Sequence, residues 1–473
     1  MNSRLTGRRR GARVIAESRR ESLANDVTAR ELETFPISPP SDKEPTEASA
    51  SVAGAAAGRS WNPFHALLRL RPLEAMNHRD FRLLWFGHVF ASMAFWMDQV
   101  SRGWLIYQLT DSTVQLGLVR GVQAIPILLL SPIAGSAADR YSRKMQILIA
   151  QVLDGMMFAA LALLIVTGLI EPWHVYATAF GMAMVQTFQQ PARAAIIADV
   201  VPAKNLTNAI GLNSVIFNVA RSTGPALAGV LIATFGTAGA FGTQAFFYFL
   251  ATYWTLRLRQ TGRSAAATHG HGAASFGRSI VEGWKFGWQN ETIRAGLLIT
   301  MFASLFIVPF TTLLPVFARD ILAVGASGQG LLLTAMGVGA LGSAVMITTF
   351  GDRMPRGIFM LGGVALYGLG VVFFAASLWF NLSMALMVIV GFANVCSHAL
   401  VQTVLQTYAP PEFRGRTIAL FHMGQVVMTV GSIAVGALAA FWGTQWAVAS
   451  MAAAGAVSML CIQVLLPRTA GIR

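Results

Sequence analysis

Asp98, Arg102, Asp154 and Arg221 each fall inside a long apolar run. A charge in such a run is expensive, and chains keep it there mainly where it has a task. Asp98 and Arg102 are four positions apart, so on a helix they share a face and can pair. Asp154 lies about ten residues into its run, close to the middle of a spanning helix. Arg221 comes shortly before Gly224 and Pro225. Carboxylates and guanidinium groups facing one cavity form a charge network, and one carboxylate in it can take up and release a proton as the protein changes shape. A static ion pair that fixes helix packing is the other reading of the same residues. Gln123, Gln186, Gln189, Asn218, His398 and Gln402 add polar side chains on the same kind of segment, as candidate cavity residues. His398 and Gln402 share a helix face. No cofactor and no metal are expected: the one His-x-His pair, His269 and His271, has no further ligands near it in sequence.

The apolar runs are the elements that must hold these groups. The 473 residues are 55% hydrophobic and only 12% charged, with a mean hydropathy of +0.57. Soluble domains carry about 25% charged residues, so a lipid bilayer is the expected surrounding. The net charge of +14 lies largely in short links without organised aromatics, which argues against nucleic acid. Cys396 and Cys461 sit within apolar runs as small hydrophobes. There is no G-x-x-x-x-G-K-[ST], H-E-x-x-H or G-x-S-x-G pattern, so an ATP-driven pump and an enzyme are both disfavoured.

Residues 1–75, rich in Arg, Ser, Pro and Ala, read as a disordered cytoplasmic tail. Twelve spans follow, at about 81–109, 114–138, 144–169, 172–199, 206–234, 238–258, 292–317, 325–350, 356–379, 382–408, 414–442 and 445–467. Residues 76–258 form one six-helix bundle and 292–473 another. Between them, 259–291 is a central loop, where "IVEGWKFGWQNETIRAG" reads as an interfacial amphipathic helix. Alternate links hold Arg140, Arg143 and Lys144; Arg193 and Lys204; Arg257, Arg259, Arg263 and Arg278; Arg353 and Arg356; and Arg414 and Arg416. The other links contain a single cation, Arg319. The positive-inside rule then puts both termini in the cytoplasm of a multi-pass cell (inner) membrane protein.

The halves echo one another. "GSAADRYSRK" follows the second span, and "TFGDRMPRG" follows the eighth. Both place a glycine ahead of an Asp-Arg pair and a later arginine. Two related halves with a site between them are a recurrent transporter plan. Asp139, near the end of the second span, can pair with Arg140 or Arg143, or face the positive end of a helix. Gly135 would allow close packing at that corner.

On these motifs the chain resembles the major facilitator superfamily. "GSAADRYSRK" is similar to its motif G-x-L-a-D-r-x-G-r-k, with Ala137 for the usual Leu and Ser142 for the usual Gly. "ARSTGPALAG", residues 220–229, resembles the G-P motif of exporting antiporters, and the whole sweep is similar to the branch of enterobactin exporters and drug–proton antiporters. The resemblance implies an all-α membrane protein of twelve transmembrane helices in two pseudo-symmetric bundles. It implies a gating motif comprising Gly135, Asp139, Arg140, Arg143 and Lys144, echoed by Gly351, Asp352 and Arg353, with Asp139 reaching the eleventh span near Arg414 and Arg416. Arg221, Gly224, Pro225 and Gly229 would bend and pack the fifth span. The function implied is export of a small amphipathic molecule, siderophore or drug-like, by alternating access and proton antiport. Importers and non-transporting sensors share the same frame. The expected partners are that small molecule, protons and lipid, and the chain is expected to be a monomer.

Overall fold

The computed structural model of the protein describes residues 71–259, 284–351 and 355–466. Residues 1–70 lie outside the described residues, as do Arg263, His269, His271, Arg278, Asp352 and Arg353. Of Asp139, only the backbone belongs to the description.

The described residues begin inside the expected tail, at residue 71. Arg71–Asn77 form a 3-10 helix, and Ala75 is fully buried beside Phe81 and Leu84. Helices then follow: α1 Arg79–Thr110, α2 Thr113–Arg140, α3 Arg143–Val166, α4 Pro172–Val200 and α5 Leu206–Leu256. Pro172 opens α4, where its missing N–H has no intrahelical partner to lose. α5 covers the fifth and sixth expected spans and turns at Gly236, whose φ of 70° and ψ of −179° are open to glycine alone. After residue 283 come α6 Glu291–Phe302, α7 Gly325–Phe350, α8 Arg356–Ala376, α9 Phe380–Tyr408, α10 Pro411–His422, α11 Gly424–Trp442 and α12 Thr444–Leu465. α6 continues to Ile321 through π and 3-10 turns. Pro309 and Pro315 lie in this stretch and break the regular ladder.

Among the described residues, nine segments are long and apolar enough to cross a membrane. α1 and α4, at 32 and 29 residues, fall outside that count because amides and ionisable groups lower their hydropathy. Their length still exceeds the roughly 20 residues a bilayer needs.

The links alternate between a basic end and an opposite end. Trp173, Trp379, Trp442 and Trp446 are all exposed at the opposite end, as an interfacial aromatic belt would be. At the basic end, residues 284–289 are helical. There Trp284 stacks on Trp288, while Phe286 stacks on Phe413 of α10 at 4.3 Å. Within the chain, α1 and α3 pack on α5, α2 on α4, α7 and α8 on α9, and α8 on α12. Two further pairings join the early helices to the late ones: α2 with α11, and α5 with α7.

Candidate functional site

The expected pair exists. Arg102 Nε donates to Asp98 Oδ2 at 3.0 Å, with both side chains buried. The rest of the guanidinium reaches α4, donating to Thr178 Oγ1 at 3.0 Å and to the Val175 carbonyl at 3.3 Å. It also contacts Met182 Sδ. The other Asp98 oxygen is buried without a partner. Asp98, Arg102 and Arg120 line a small cavity with Thr311, Thr312 and Pro315 from the run after α6. Arg120 therefore faces the interior.

Asp154 forms a second, separate set. It is fully buried. Gln186 Nε2 donates to its Oδ2 at 3.0 Å and to the Tyr248 hydroxyl at 3.3 Å. Asp154 Oδ1 has no partner. Arg193, grouped with the cations of the link after the 172–199 span that contains it, is inside α4 and donates to His88 Nδ1. Gln186, Tyr248, Arg193 and His88, but not Asp154, border a cavity of about 310 Å³ between α1, α4 and α5, in the half of the helices nearer the basic end. Gln186, Gln189 and Asn218 are among its lining residues.

Arg221 does not join the two carboxylates. Its guanidinium sits 5.9 Å from the centroid of the Trp96 ring. The motif around it is a packing device. A methyl carbon built on Gly224 would lie 2.8 Å from Trp96 Cβ, and one on Gly229 would lie 2.6 Å from the Ala326 carbonyl oxygen. α7 answers with Gly330 against the Pro225 carbonyl and Gly337 against Ser222. The α2–α11 crossing is built alike. Gly117 lies against the Ser432 carbonyl, Gly436 against the Thr113 carbonyl, and Thr113 Oγ1 donates to the Gly436 carbonyl at 2.9 Å. Small residues let backbones approach in a bilayer.

Beyond these seams, at the opposite end, Arg319 pairs with Asp111 and Asp320, and its guanidinium covers the Tyr107 ring at 4.5 Å. Tyr107 donates to Asp320. Sequence reading noted Arg319 only as the lone cation of its set. Its partners Asp111 and Asp320 flanked span ends, and that was the available signal.

The basic end differs from expectation in its pairings. Arg143 Nη1 donates to both oxygens of Asp199, at 2.8 Å each, so its carboxylate partner is on α4. Lys144 Nζ donates to the Leu256 and Leu258 carbonyls at 3.1 and 2.6 Å, capping the end of α5. Gly135 has no atom within 4 Å of where a Cβ would stand, so close packing is not its role here. Arg140 and Arg414 are exposed. Arg416 lies over Phe413 at 5.2 Å. Gly351 follows the last turn of α7. Gln123 accepts from Arg120 at 3.4 Å. His398 packs against Phe421, with ring centroids 4.7 Å apart, and Gln402 lies a turn further along α9; neither borders the larger cavity.

Buried charges turned into a helical membrane bundle, beside a cavity and between seams of small residues, are the layout of a small-molecule transporter, not of an enzyme. The chain belongs to the transmembrane secretion effector family of major facilitator transporters, whose pattern it matches over residues 70–471. It is 24% identical over 357 residues to the staphyloferrin A transporter of Staphylococcus aureus (strain NCTC 8325 / PS 47), covering 74% of this chain and 86% of that one. It is 26% identical over 353 residues to the multidrug efflux pump Tap of Mycobacterium tuberculosis (strain ATCC 25618 / H37Rv), covering 72% and 81%. The fold is similar to that of the nucleoside transporter NupG, with a TM-score of 0.64 at 12% identity over 81% of this chain and 98% of that one.

Proposed function

We propose that the protein is a secondary active transporter that exports a small amphipathic molecule, siderophore- or drug-like, by alternating access with proton antiport. On this reading α5 counts as two spans, and α10 with α11 as one. That gives twelve spans in two six-helix bundles, 76–258 and 292–473. The basic end and both termini face the cytoplasm of the cell membrane, and the chain works as a monomer. The seams and the Arg319 cluster close the outer end, and the larger cavity opens inward. In the opposite conformation Asp139 latches the inner end, with Arg140, Arg414 and Arg416 nearby.

The observation that carries the proton step is Asp154. It is a fully buried carboxylate held by an amide and lacking a partner for one oxygen, so it can accept a proton without breaking an ion pair. The names of the two relatives, a siderophore transporter and a drug efflux pump, support the cargo class. The test is reconstitution of the purified chain into vesicles with an internal pH dye and an imposed gradient, using a panel of organic solutes. Saturable solute movement that drains the gradient is expected, with the drain lost in Asp154→Asn. Solute movement indifferent to the gradient refutes the coupling, and no movement of any solute supports a sensor.

A further inference from the structure

We propose that the cavity between α1, α4 and α5 binds an organic anion, an amphipathic carboxylate, with Arg193 as its charge partner. The proposal rests on the transporter reading, but not on the sense of proton coupling.

Charge points first. Arg193 projects into the cavity, and no Asp or Glu lines it. Asp154 lies outside the lining, hydrogen-bonded to the lining residue Gln186. Arg193 forms none of the ion pairs among the described residues. Its hydrogen-bond partner is the His88 ring nitrogen, which accepts and so brings no negative charge. A guanidinium carries five N–H donors in a fixed fork that matches a carboxylate. Most of that fork is unclaimed.

Unspent hydrogen-bonding capacity points the same way. Gln189 is 3% exposed, and its Nε2 has no partner. Asn213 Oδ1 is also buried without one. Both residues line the cavity. Buried polar atoms are almost always paired, so an orphan donor and an orphan acceptor on two lining residues leave hydrogen-bonding capacity that a side-chain rotation can offer to a ligand. The donor suits a second carboxylate oxygen, and the acceptor suits a hydroxyl. Phe95, Ile197, Ile210 and Phe217 supply an apolar wall. The ligand therefore has an acidic, hydroxylated part and an apolar part. The volume of about 310 Å³ is at the lower end for small-molecule sites. A lipophilic cation meets a like charge there and no carboxylate, which rejects it.

The probes are salicylate, a hydroxylated aromatic carboxylate, and tetraphenylphosphonium, a lipophilic cation. Each is titrated against the full chain in detergent. The readout is tryptophan fluorescence, since Trp96 packs on the lining residue Phe217 at 5.4 Å. Saturable salicylate binding is expected, weakened roughly tenfold to a hundredfold in Arg193→Gln, the loss of one charge-assisted pair. Arg193→Lys keeps the charge and retains most of the binding. If Arg193→Gln does not fold, Gln189→Ala serves, with a loss of about threefold to tenfold expected. Salicylate binding that ignores all three changes, no salicylate binding, or tetraphenylphosphonium binding at least as tight as salicylate overturns the proposal. Transport of cations in vesicles without anion binding sinks this site and leaves the transporter reading standing. Arg193-dependent binding with no solute movement does the reverse.

Discussion

Gly229→Ala tests whether the α5–α7 seam governs which conformation the protein holds. The new methyl carbon would stand 2.6 Å from the Ala326 carbonyl oxygen and 3.1 Å from Ser327 Cα. Ordinary contact begins near 3.4 Å, so the two helices must part by about 0.8 Å at that point. Both opposing atoms are backbone, and no rotamer change relieves them. Overpacking of this kind costs about 1–3 kcal/mol. The cost falls only on the conformation in which the seam is closed. The equilibrium should then move roughly 5- to 150-fold toward opening at that end. Gly242→Ala is the control: it is also in α5, with nothing within 4 Å of its Cβ position. The assay is a spin-label distance between cysteines placed at Ser112 and Trp446, with Cys396 and Cys461 replaced by serine. Gly229→Ala should populate longer distances and Gly242→Ala should not. Identical distance distributions in the two variants would show that the seam does not set the equilibrium.

Asp98→Asn leaves Arg102 buried without its counter-charge, which costs about 3–5 kcal/mol; its melting temperature in detergent should fall clearly, and Asp98→Asn with Arg102→Gln should recover part of the loss. Arg319→Ala removes pairs that are partly exposed, with Asp111 70% accessible, so about 1 kcal/mol or less is at stake. The same spin labels should report a small opening, and added salt should mimic it in the wild-type chain. Asp139→Asn should lower transport while expression holds, and unchanged rates in reconstituted protein would refute the latch.

The helices were readable because apolar runs of about 20 residues leave few alternatives, and the Asp98–Arg102 pair was readable because four residues make one helical turn. The pairings between helices were not. Arg143 sits beside Asp139 in sequence but finds Asp199, which is 56 positions away. Arg193 was grouped with the cations of a link although the expected 172–199 span contains it, and its partner His88 belongs to α1. Gly224-Pro225 was legible as a motif, but its partners Trp96 and Gly330 belong to other helices. Local spacing names the face of one helix; only packing says what that face meets.

The two glycine crossings also bear on electrical insulation. A carrier sits in an energised membrane, and any thread of water through it would short the proton gradient. At Gly229, Gly330, Gly117 and Gly436 one backbone rests directly on another, with no side chains between them to leave gaps. Such a contact behaves as a gasket: it seals that end against hydrated ions.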